Sequence, residues 1–171
     1  MIRWKEQVRC FEDFITTRRD HEPFCVMPGL DVISAEIISY RSAYPHPFDV
    51  LAINRISNGQ GEESIPLLRE EFWLVPLKKT VECMQIFGEK IYPFECGEPR
   101  VRNVSWSRNW FTFAVDGFGE MLVVDMDPGP DGVVGQVLKV WHDDNRVEVM
   151  AHSLCELLKR YGREVGEGWT P

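Results

Sequence analysis

Apolar positions along this chain change their spacing part-way through. In residues 2–19, Trp4, Val8, Phe11 and Ile15 recur at three- and four-residue intervals with Phe14 beside them, which predicts an amphipathic helix. Arg18 and Arg19 suit its C-terminal end. A Pro-containing connector, His21 to Gly29, follows. Ser34 then reads as the N-cap of a short helix over AEIISYRSAY, with Asp31 as an alternative start and Ile37, Ile38 and Tyr40 turned inward. Pro45 and Pro47 stop it, and Pro47 can open the next helix over FDVLAINRIS, which Asn58-Gly59 ends. After the polar loop GQGEES, residues 72–75 read as a short strand. Pro76 opens a helix over LKKTVECMQIFGEK, and residues 89–100 form a loop.

From Val104 onward the helical spacing disappears. Short apolar runs rich in Val, Phe and Trp alternate with Gly, Pro and Asp clusters. The runs are Val104 to Trp106, Trp110 to Val115, Met121 to Met126 and Val133 to Trp141, separated by breaks such as DGFG and DPGPDG. Val147 to Met150 is a last strand. Ser153 caps a helix through about Tyr161 whose core face is Leu154, Leu157, Leu158 and Tyr161. Helices, then strands, then one helix is an α+β order: a central antiparallel meander flanked by N-terminal helices and a C-terminal helix. Residues 1–171 form one domain, with a helical extension at about 1–27.

Composition narrows the function. An apolar share of 44% and a charged share of 27% are ordinary for a globular chain. Apolar runs fall far short of the roughly 20 residues a membrane helix needs. Charges within the first apolar pattern exclude a signal peptide. The net charge of −8 and pI near 5.0 argue against direct nucleic-acid binding. The five cysteines are odd in number and scattered, so they read as reduced thiols in a cytoplasmic protein. Acid is concentrated late in the chain. Asp116, Glu120, Asp125, Asp127, Asp131, Asp143, Asp144 and Glu148 face only Lys139 and Arg146 within 116–148. These acids read either as turn formers and soluble edges or as an electrostatic surface for a basic partner.

Catalytic signatures are missing. The sequence holds no GxGxxG after a strand, no Walker loop, no GxSxG and no HExxH. His142 beside Asp143 and Asp144 reads as a surface turn, and the Asp125, Asp127, Asp131-Gly132 spacing does not fit a calcium loop. Cys155 with His152 reads as a core cysteine beside a surface histidine. The expectation is no catalytic residue, no cofactor and no metal.

An ordered set of short motifs resembles the SUKH superfamily, which includes the Smi/Knr-type regulators of cell-wall glucan synthesis. Pro47 with Asn58-Gly59 resembles its "P, short helix, NG" signature, and Phe72-Trp73-Leu74 before a helix resembles the strand and helix that follow. Trp106 and Trp110 resemble its paired tryptophans, and Asp116, Gly119 and Asp125 its "D, G, then D". Pro128, Gly132 and Gly135-Gln136-Val137 resemble "P, G, GQV", and Ala151 to Ser153 resembles "A-x-S" before the last helix. The resemblance spans about 28–161 and departs at Thr112, where a Pro commonly follows the second Trp and its apolar neighbour.

The resemblance implies an α+β domain that binds proteins without catalysis or cofactor. Its bacterial members are commonly immunity proteins that neutralise a cognate secreted toxin by direct binding, here one of basic, nuclease type. The alternative it implies is a regulatory module in a cell-wall or other housekeeping pathway. The expected partner-binding residues are Trp110, Asp116, Phe118, Glu120, Asp125, Asp127, Asp143 and Asp144. Trp110 reads as core packing or as an exposed anchor. Phe118, at the tip of DGFG, reads as an anchor or as a residue folded back onto the sheet. Gln136 either satisfies a backbone group or faces the partner.

Overall fold

The computed structural model describes residues 4–19, 25–31, 33–44, 51–61, 66–68, 72–88, 97–143 and 146–166. Its elements are α1 (Trp4–Arg19), β1 (Val26–Pro28), α2 (Ala35–Ala43), α3 (Ala52–Ile56), β2 (Ser57–Gln60), β3 (Trp73–Leu74), α4 (Leu77–Gly88), β4 (Trp110–Val115), β5 (Met121–Asp125), β6 (Gln136–Val140), β7 (Val147–Ala151) and α5 (Leu154–Gly166). The fold is α+β, with a five-stranded antiparallel sheet ordered β3-β4-β5-β6-β7 and a two-stranded sheet of β1 and β2. No helix among the described residues is long and apolar enough to cross a membrane.

The register of the large sheet explains its two apolar faces. Leu122 stands opposite Ala114 and Lys139, and Val124 opposite Phe111 and Val137. With Phe113, Ala151 and the apolar faces of α1 and α5, Leu122, Ala114, Val124, Phe111 and Val137 belong to the main core. The alternate positions point the other way, because successive strand side chains take opposite faces. Trp110, Met121, Val123, Leu138, Val140 and Val147 form a second core with Cys83 of α4, Val101 and Trp106. A bulge between Thr112 and Ala114 shifts the alternation by one, so that Ala114 reaches the main core together with Phe111 and Phe113. Because both faces are covered, the strands are nearly continuous buried runs rather than alternating ones.

Both helix starts behave as their sequences predict. Ser34 Oγ accepts from Ile37 N–H, and Asp31 builds the preceding turn by accepting from Ile33 and Ser34 N–H. Ser153 Oγ accepts from Glu156 N–H, and Leu154, Leu157, Leu158 and Tyr161 of α5 are buried.

Five expectations change. Val104 to Trp106 is irregular chain, not a strand, although Trp106 is buried. Val133 and Val134 lie outside β6 and are exposed. Ile38, expected inward on α2, is 54% exposed. The helix expected to end at Asn58-Gly59 stops at Ile56, and those residues belong to β2, paired with β1 in the expected connector. The cysteines are not all thiols, because Cys10 of α1 is disulfide-bonded to Cys155 of α5. Pro45, Pro47 and Phe48 lie outside the described residues, as does the Trp4 side chain. Phe11, Phe14 and Ile15 of α1 sit in the same core as Leu157 and Leu158.

Candidate functional site

The meander sorts the expected binding residues to two ends. β5 runs four steps from Met121 to Asp125, about 13 Å at about 3.3 Å per residue. Asp116, Phe118 and Glu120 therefore lie at the β4–β5 turn, with His142 and Asp143 in the neighbouring β6–β7 turn. Asp125 and Asp127 lie at the far end. The acidic segment does not form one surface.

At the turn end, Asp116 is a builder. Its Oδ1 accepts from the N–H groups of Phe118 (2.9 Å) and Glu120 (2.8 Å), while its own N–H donates to Glu120 O. This side-chain-closed turn is what Asp offers over most residues. Gly119 completes it with φ +96, and a Cβ there would stand 3.0 Å from His142 Nδ1. The two turns thus come close enough that a side chain at Gly119 would press on the His142 ring. The result is a held tip that leaves Phe118 77% exposed, so it does not fold back onto the sheet.

The charges around the tip are mostly paired. Glu120 bonds Lys139 Nζ at 2.9 Å, and both side chains are largely buried. Lys139 Nζ also lies 4.6 Å from the Trp141 ring centroid, with Arg146 Cζ 4.4 Å from the same ring, so the half-buried indole sits beside two cations. Asp143 bonds His142 Nε2 at 2.6 Å and keeps 85% of its side chain exposed. Among the described residues of the expected acidic set, Asp143 is the most open to a partner. Asp144 lies outside the described residues.

The far end is built for cohesion. Asp125 is fully buried, between its register partners Trp110 and Gln136. Its Oδ1 accepts from Asp127 N–H and its Oδ2 from Gln136 Nε2, each at 2.9 Å. Gln136 Nε2 also donates to Arg100 O at 2.8 Å, and its Oε1 accepts from Val133 N–H. Gln136 therefore satisfies backbone and carboxylate groups inside the protein and faces no partner. Burial pushes the Asp125 carboxyl up to about 6, against the lowering effect of these donors. Asp127 pairs with Arg102 and accepts from Asn109 Nδ2. A Cβ on Gly132 would stand 2.2 Å from Arg100 O, so glycine is required where these loops meet.

Trp110 and Asp125 are therefore removed from any docking surface. Trp110 is fully buried and stacks edge-on against Trp106 with centroids 5.4 Å apart; Trp106 in turn meets Phe87. Sequence reasoning missed Trp141, whose apolar run it placed wholly in a strand. It also missed the buried carboxylate, for which a polar Gln136 inside an apolar strand was the available signal. Among the described residues no three His, Cys, Asp or Glu side chains are grouped so as to hold a metal ion. No protein-family model matches this chain, and no curated protein matches it either.

Proposed function

We propose that this chain is a non-enzymatic protein-binding domain, and that it acts as an immunity protein by binding and neutralising a cognate toxin. The family part of this reading rests on the ordered SUKH-like motifs. One structural observation supports binding: Phe118, 77% exposed, stands on a turn held by Asp116 and by the Gly119–His142 contact. An aromatic presented on an already ordered backbone turn leaves less freedom to lose when a pocket closes over it, and buried aromatics are frequent interface anchors. Asp143, in the neighbouring β6–β7 turn, is an exposed charge suited to steering a basic domain.

The proposed mechanism has two parts. Asp143 and its neighbours speed encounter with a cationic surface. Phe118 then sets how long the complex lasts. No covalent step, cofactor or metal enters it. The cytoplasmic compartment expected from the scattered cysteines loses that argument to the Cys10–Cys155 link.

The test is to read the frames flanking its gene and to co-express the chain with any C-terminal toxin domain they encode. Restored growth together with a co-purifying complex is the expected result. Unrestored growth with no complex refutes the immunity reading.

A further inference from the structure

The covalent link between the first and last helices has a consequence that is independent of any partner. The Cα atoms of Cys10 and Cys155 are 5.4 Å apart, within the range a disulfide spans, and the two residues are 145 positions apart in the chain. They are only 6% and 5% exposed, inside the contact between α1 and α5. Phe14 packs against the same helix, 3.8 Å from where a Cβ on Gly162 would lie.

The hold on α1 differs in kind from the hold on the strands. β4 to β7 are joined by ladders of backbone hydrogen bonds. A helix satisfies its backbone groups internally, so α1 is attached through side chains. Those attachments include its apolar face of Phe11, Phe14 and Ile15, a bond from Arg18 Nη2 to Pro66 O at 3.2 Å, contacts with α3, and the disulfide. Elements held this way open at lower free energy than a central sheet.

We propose that the Cys10–Cys155 link makes α1 a redox-released strap: oxidised, α1 is held on α5; reduced, it opens and closes while the sheet stays folded. Forming the bond removes two protons and two electrons from the two thiols. A low-molecular-weight disulfide such as glutathione disulfide takes up the electrons and is reduced to two thiols. Because both sulfurs are buried, exchange requires α1 to lift first. The strap therefore changes state slowly in the folded protein, and opening uncovers the apolar faces of both helices, Phe11 and Phe14 on one side and Leu157 and Leu158 on the other.

The experiment uses the full chain refolded in glutathione buffer, then alkylated, digested and mapped without reductant. Amide exchange is followed by mass spectrometry on oxidised and phosphine-reduced protein. The expected result is a linked peptide carrying Cys10 and Cys155. Reduction should also accelerate exchange in α1 on the order of 100-fold, with β5 and β6 unchanged. Cys155→Ser should match the reduced wild type whether or not reductant is present. The reduced wild type suffices if that variant does not fold. The proposal is overturned if no linked peptide forms, if α1 exchange is the same in both states, or if α1 and the sheet accelerate equally.

Discussion

The two ends of the large sheet use similar residues to opposite effect. Each has an Asp next to a glycine-containing turn, and each Asp accepts a backbone N–H two residues ahead: Phe118 for Asp116, Asp127 for Asp125. At the β4–β5 turn the acid stays in partial contact with water and its turn lifts an aromatic into solvent. At the other end the acid is fully buried, and its second oxygen takes the Gln136 amide that also holds Arg100 O. Covering by the 97–109 loop, through Val101 and Trp106, makes the difference. Local sequence builds the turn, but the layer above it decides whether the result is a tip or a clasp.

The largest expected contrast is at the buried end. Trp110→Ala removes a fully buried indole stacked on Trp106 and should cost about 3–5 kcal/mol in urea unfolding. A cost near zero would place the second core elsewhere.

Asp125 gives a smaller and pH-dependent effect. Its folded-state carboxyl is raised to about 6 from an ordinary 3.8, so folding favours the protonated form. Below about pH 4 both folded and unfolded states hold the proton, and this contribution is fully present. Between about 4 and 6 the unfolded chain gives its proton up first, so stability falls as pH rises, by about 2–3 kcal/mol in all. The Glu98 carboxyl, held low by its bonds to Arg100, works in the reverse direction at more acid pH. The difference between wild type and Asp125→Asn across pH 4–7 isolates the Asp125 contribution. Parallel curves would show that Asp125 does not titrate as described.

At the exposed end, Gly119→Ala should cost about 1–2 kcal/mol, because φ +96 is unfavourable for alanine and the methyl meets the His142 ring. A thermal melt matching wild type would show that the two turns are not locked together.

How far the sequence reaches follows the same division. β4 to β7 were legible because apolar runs broken by Gly, Pro and Asp carry their own boundaries. The α5 core face was legible from the spacing of Leu154, Leu157, Leu158 and Tyr161. The β1–β2 pair was not, since Asn58-Gly59 is a good helix stop and only the distant partners Val26 and Pro28 turn it into a strand. The disulfide was hidden by its separation along the chain, and the burial of Asp125 by the ordinary preference of strand-end acids for water. Phe118 was recognisable as a tip residue, but its exposure depends on the His142 turn packed beside Gly119, which no local pattern records.

The central claim is that the turn end binds and the clasp end supports. Its most direct test is the affinity of Phe118→Ala for the partner that the co-expression test identifies, with stability measured on the same sample. The account predicts unfolding within about 0.5 kcal/mol of wild type and a Kd weakened by on the order of 10- to 100-fold, mostly through faster dissociation. An unchanged Kd in a normally folded variant would contradict it.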